Sequence, residues 1–206
     1  DSSTSRGLGD VYKRQRLGNL HSIPVSEEWY LIVVNRWNEI PEDYRVELTE
    51  LSNGQKVDSR IYPYLQEMFD AARKDGIYPV VREGYRTYDE QQKILDDKIK
   101  AYINEGYSQS RAERTAKEWV ALPGTSEHQL GIAVDINADK SKSSNDEVYM
   151  WLAANAHNYG FILRYPQGKQ EITGTSYEPW HYRYVGVDAA REIYERGICL
   201  EEYFEQ

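Results

Sequence analysis

Two short stretches constrain this chain more than anything else in it: GTSEHQLGIAVDI, residues 124–136, and YEPWHYRYVG, residues 177–186. Between them they hold His128, Asp135, Glu178 and His181. A hydrolytic zinc needs three protein ligands, a fourth position open to water, and a separate base to take that water's proton. The candidate ligands are His128, Asp135 and His181, and the candidate base is Glu178. Two neutral imidazoles and one carboxylate leave a divalent metal net positive, able to bring the pKa of water down to about 7. A fold that suits these residues must bring the two stretches together.

The local pattern agrees with that requirement. Ile132, Val134 and Ile136 alternate with Ala133, Asp135 and Asn137, so a strand puts the apolar set on one face and Asp135 on the other. His128 precedes it across Gly131, which permits the turn needed to bring both to one metal. Pro179 lacks a backbone donor and biases Glu178 toward extended structure. We therefore expect an extended stretch from Glu178, with Trp180 and Tyr182 packed inward and His181 facing the metal.

Ser126-x-His128-x6-Asp135 followed by Glu178-x-x-His181 resembles the D-alanyl-D-alanine carboxypeptidases of the VanY type, in the group that includes lysostaphin-like endopeptidases and the hedgehog fold. A third segment, Gly84-Tyr85-Arg86-Thr87-Tyr88-x-x-Gln91, is similar to that family's substrate-binding stretch. The likeness runs from about Trp29 to Tyr203. It implies one zinc held by His128, Asp135 and His181, Glu178 as general base and acid, and Arg86, Gln91 and Ser126 holding the substrate's terminal peptide unit. It also implies an extracytoplasmic bacterial enzyme working on peptidoglycan. Glu83 departs from the pattern, where a small residue such as Ser is more usual, and adds a carboxylate near a site meant for an anionic terminus.

Composition bounds the remainder. A 206-residue chain with 40% hydrophobic and 29% charged residues is globular in character and long enough to bury a core. A formal net charge of −9 argues against nucleic acid as a partner. No apolar run reaches the roughly 20 residues of a membrane span. The single Cys199 cannot form an intrachain disulfide. Residues 1–15 read as a non-native or disordered leader, because Asp10 to Gln15 can be translated from a transposon-end adapter; residues 16–206 read as one zinc carboxypeptidase domain, expected to be monomeric. His21 and His157 read as structural, and the 18 Tyr and five Trp mainly as core packing, with a cleft wall as the alternative.

The expected layout is α+β, with an antiparallel sheet carrying the zinc site and helices flanking it. Trp29 to Val34 reads as a strand and Asn35 to Tyr44 as a loop. Ile61, Leu65, Met68, Phe69 and Ala72 keep helical spacing up to Gly76, and Ile77 to Val81 follows as a strand. Capping boxes at Thr87/Glu90, Ser110/Glu113 and Ser144/Glu147 open three more helices, and a last helix spans about Asp188 to Arg196.

The activity these expectations favour is removal of the C-terminal D-amino acid from a peptidoglycan stem peptide. An L,D-carboxypeptidase acting on tetrapeptide stems would share every motif, because chirality depends on pocket shape. A binding module that keeps its zinc has no need of Glu178, and a lytic endopeptidase has no terminal carboxylate for Arg86.

Overall fold

The computed structural model describes residues 28–205, so the expected leader over residues 1–15 and His21 lie outside the described residues. In chain order, β1 (Leu48–Glu50) and β2 (Lys56–Asp58) form a hairpin, and α1 (Tyr62–Lys74) leads into β3 (Pro79–Glu83). Helices α2 (Tyr88–Asn104) and α3 (Gln109–Trp119) follow, then a 3-10 turn at Glu127–Leu130 and β4 (Ala133–Ala138). Next come α4 (Asn145–Asn155), a second 3-10 turn at Ala156–Tyr159, and β5 (Phe161–Leu163). The short α5 (Gln170–Thr173), β6 (His181–Tyr184), α6 (Val187–Arg196) and α7 (Leu200–Phe204) complete the fold.

Strands β3, β4, β6 and β5 lie side by side in that order, every pair antiparallel, which with the helices makes an α+β fold. The alternation read over residues 132–136 decides how β4 sits. Val134 and Ile136 enter the main core with Leu65, Met68, Phe69, Leu152, Tyr182 and Tyr184, while Asp135 stays half-buried on the opposite face. In β6 the same period of two sends Tyr182 and Tyr184 to the core and leaves His181 and Arg183 on the face of Asp135. Register then does the rest, since Asp135 pairs directly with His181 across the two strands.

Helix signals translate as expected in most places. Thr87 and Ser144 each accept from the backbone N–H three residues on, and Glu90 and Glu147 reach back to complete both capping boxes. The third expected box is corrected: α3 is capped by Ser108, whose hydroxyl accepts from Arg111 N–H, and Ser110 lies inside the helix. Either serine fits the composition, but the chain turns at Glu105 and Gly106 and is extended at Ser108, which makes that residue the cap.

Two further expectations are corrected. Trp29 to Val34 is not a strand. Leu31 and Val33 enter a second small core with Ile162, Val185, Ile193, Leu200 and Phe204, while Val34 enters the main one, so both faces are buried without a sheet neighbour. The carbonyls of Tyr30 and Ile32 instead accept from the guanidinium of Arg183, at 2.7 Å each, a side chain supplying what a strand partner would have supplied. Trp180 does not pack inward. Pro179 and Trp180 form a turn closed by His181 N–H to Glu178 C=O, β6 begins only at His181, and Trp180 is left exposed.

Candidate metal centre and its cleft

Each expected ligand is placed by a different local device. His128 rides on the 3-10 turn that ends at Gly131, which has φ of 73°, and a Cβ there would come within 2.9 Å of Val46. Only glycine meets both conditions. Asp135 and His181 are the cross-strand pair of β4 and β6. One ligand atom from each of His128, Asp135 and His181 falls within 4.8 Å of the others.

Hydrogen bonds settle which ring nitrogen of each histidine faces this point. His128 Nδ1 is 2.8 Å from the carbonyl of Gly84, so Nδ1 carries the proton and Nε2 is turned to Asp135 Oδ1 at 3.4 Å. His181 is the reverse: Nδ1 lies 2.9 Å from Asp135 Oδ1, and Nε2 lies 3.4 Å from Glu127 Oε2. Glu178 Oε2 stands 3.7 Å from His181 Nδ1. The donor set is two imidazoles and one carboxylate with a second carboxylate adjacent, which fits a mononuclear zinc with a base beside it.

Electrostatics favour a cation here. Burial works to lower the His181 pKa, yet hydrogen bonds to Asp135 and Glu127 and the nearby charge of Glu178 push it up to about 10. Burial works to raise Asp135, and the two histidines hold it well below the ordinary carboxylate range. Glu178 is shifted the other way. Burial raises its pKa, and Asp135 and Glu127 add to that against the pull of His181 and Arg86. A base whose pKa is raised toward the working pH is better matched to moving protons.

The cleft around these groups has a volume of about 370 Å³ and is lined also by Arg86, Gln91, Ser126, Tyr165, Trp119 and Trp180. Arg86 Nη1 donates to Gln91 Oε1 at 2.7 Å, and Gln91 Nε2 donates to Ala121 C=O at 2.7 Å. Gln91 is therefore the clamp that sets Arg86. Arg86 Nε is buried without a hydrogen-bond partner. Glu83, the departure noted in the sequence, has Oε1 3.7 Å from that same nitrogen and is partly exposed. Ser126 is buried in the cleft wall at the head of the 3-10 turn, where its hydroxyl caps nothing. His157 lies away from the cleft lining, with its ring stacked on Tyr194 at 3.6 Å. Tyr182 and Tyr184 are core residues, whereas Tyr165, Trp119 and Trp180 form cleft wall, so the aromatic residues serve both purposes considered for them.

A sequence model of VanY, D-alanyl-D-alanine carboxypeptidase, matches residues 54–187. This chain belongs to the VanY family. It is 60% identical over 177 residues to a D-alanyl-D-alanine carboxypeptidase of Enterococcus faecalis, an alignment covering 86% of this chain and 66% of that protein. It is 60% identical to a mutant of the vancomycin resistance D,D-pentapeptidase VanY from a VanB-type cassette, solved in complex with Zn(II), with a TM-score of 0.82 over 85% of this chain and 99% of that one. It is 59% identical to VanYB solved in complex with D-alanine-D-alanine, with a TM-score of 0.84 over 87% and 99% of the two chains.

In this VanY-family cleft the structure also brings in residues that the sequence reading passed over. Glu127 is fully buried between His181 and two arginines, Arg164 and Arg183, which are themselves fully buried. The Gly84 carbonyl orients His128, and Arg86 N–H donates to the His128 carbonyl, so the third motif grips His128 from two sides. Gly84 is needed for that approach because a Cβ would fall 2.2 Å from the Lys56 carbonyl oxygen in β2. One signal was available. Arg183 sits two residues from His181 in an alternating strand, which places it on the ligand face.

Proposed function

We propose that this chain is a zinc-dependent carboxypeptidase that removes the terminal D-alanine from peptidoglycan stem peptides ending in D-Ala-D-Ala. The observation that carries the reading is the convergence of His128, Asp135 and His181 with the Glu178 carboxylate beside them and Arg86 in the same cleft. The VanY structures with Zn(II) and with D-alanine-D-alanine support the choice of metal and substrate. Held by His128 Nε2, His181 Nδ1 and Asp135, zinc would supply positive charge that acidifies water and polarises the scissile carbonyl.

The chain's own residues account for the proton and the geometry. Glu178 takes a proton from the attacking water and delivers it to the amine nitrogen as the C–N bond breaks, which leaves Glu178 ionised again at the end of the cycle. Burial raises its pKa, which makes the carboxylate a stronger base for the first transfer. Arg86, held by Gln91 through Nη1, binds the substrate's terminal carboxylate, and Ser126 adds a polar wall. Tyr165 and Trp180 close the cleft around the peptide. Every one of these residues comes from a single chain, so a monomer suffices. On this reading the enzyme works outside the cytoplasm, on stem peptides of the cell wall.

The test is mass spectrometry of products from a defined pentapeptide stem. Release of one D-alanine, with tetrapeptide as the other product, is expected. Release of an intact dipeptide, or cleavage only of a stem ending in a single D-alanine, would overturn the assignment.

A further inference from the structure

The carboxylate of Glu127 is fully buried and meets three charged or titratable side chains, yet the catalytic reading leaves it unused. Oε1 accepts from Arg164 Nε and from Arg183 Nη1, both at 2.7 Å, and Oε2 faces His181 Nε2 at 3.4 Å. Arg164 continues into a two-pronged pair with Glu201 of α7 at 2.9 and 2.7 Å, and Glu201 accepts from Asn35 Nδ2 at 3.0 Å. Arg183 completes its own set on the carbonyls of Tyr30, Ile32 and Tyr184. All three charged side chains, Glu127, Arg164 and Arg183, have no exposed surface. Fully paired buried networks of this kind are rigid, because any displacement strands a charge.

Resting on the reading that His128, Asp135 and His181 hold zinc, we propose that Glu127 is the positioning residue for His181. Its Oε2 accepts the Nε2 proton, fixes the ring in the tautomer that presents Nδ1 to the metal, and ties that ring to the buried arginine pair. The Tyr165 ring, 4.8 Å from His181 and tilted by 39°, bounds the imidazole as well. The two histidine ligands are thus held by opposite tautomers, His128 through a backbone carbonyl and His181 through a carboxylate. A ligand whose distal N–H is fixed by a carboxylate is better oriented and more basic, and loss of such a partner costs about 10- to 100-fold in metal affinity.

The substitution Glu127→Gln isolates the effect. Glutamine has one acceptor oxygen where the glutamate has two, so it can serve the arginines or His181 but not both, and its NH2 group then faces a donor. The intact chain should bind zinc about 10- to 100-fold more weakly as Glu127→Gln than as wild type, by chelator competition well below its melting temperature. The matched variant Glu201→Gln loosens the same network two links away and should keep zinc affinity within about threefold of wild type, a margin well inside the 10-fold floor. Zinc affinity unchanged in Glu127→Gln would overturn the proposal, and so would equal weakening in both variants, which would mean general loosening.

Should Glu127→Gln fail to fold, the wild type supplies its own test. Imidazole nitrogen NMR of the zinc-loaded protein should show the proton of His181 on Nε2 and that of His128 on Nδ1. A His181 proton on Nδ1 would refute the inference. A chain with these tautomers and tight zinc that releases no D-alanine would leave the positioning role intact and reject the proposed activity alone.

Discussion

On one face of β4 and β6, Val134, Ile136, Tyr182 and Tyr184 lie in the main apolar core; on the other, Asp135, His181 and Arg183 meet Glu127, Arg164 and Glu178. Both faces are buried over much of their area, yet they are stabilised in different ways. The apolar face gains in proportion to the surface removed from water, about 25 cal/mol per Å², and tolerates small changes of shape. The charged face gains little net from being buried and loses heavily when one partner goes, because an unpaired charge is left in a low-dielectric interior. The lesson is that the reactive face is rigid because each charge depends on a specific partner, whereas the core is rigid because it is full.

The largest expected effect removes function and leaves both faces standing. Glu178→Gln keeps the side-chain shape but not the base, and should lower kcat by at least about 10²- to 10⁴-fold with zinc content and melting temperature unchanged. Steady-state kinetics alongside elemental analysis decide it, and near-wild-type turnover would exclude Glu178 from the mechanism.

Next in size is a break in the charged face. Arg164→Met leaves Glu127 with one arginine and Glu201 with none, and should cost about 3–5 kcal/mol in denaturant unfolding. A loss below about 1 kcal/mol would mean that this face is not held by its pairs. The same network carries a pH signature at Glu201. Burial pulls its pKa upward, but the charge and hydrogen bonds of Arg164 outweigh that and leave it below the ordinary value. A carboxyl lowered on folding stabilises the protein above the unfolded pKa of about 4.3 and loses that contribution as pH falls through the folded value. The stability gap between wild type and Glu201→Gln should accordingly be widest near neutral pH and close in acid.

Smaller again is the contact with the substrate's end. Amidating the terminal carboxylate should lower kcat/KM by about ten- to a hundredfold, the value of a charge-assisted contact, and Arg86→Ala should erase most of that difference. Equal cleavage of free and amidated peptides by the wild type would favour an endopeptidase. The smallest effect belongs to the apolar face. Ile136→Val should cost about 0.5–1.5 kcal/mol with kinetics unaltered, so a large fall in activity would show that the two faces are mechanically coupled.

The meeting of His128, Asp135, His181 and Glu178 and the strand that carries Asp135 were legible because each rests on a local rule. Alternation set the side of Asp135, and Gly131 marked the turn after His128. Trp29 to Val34 has the composition of a strand but lacks a neighbour to pair with, and no local rule reveals that Arg183, some 150 positions on, will take its carbonyls. The cap of α3 was misread because Ser108 and Ser110 are locally equivalent and only the path of the chain chooses between them.

By itself, then, the sequence determined the donor types, the faces they share and most helix starts, since these depend on side-chain chemistry and on contacts within a few residues. Tertiary structure alone decided which ring nitrogen each histidine presents, that Gln91 clamps Arg86, and that Glu127 stands behind His181. Those outcomes depend on hydrogen bonds between segments far apart in the chain, where direction and distance matter, and a linear pattern encodes neither.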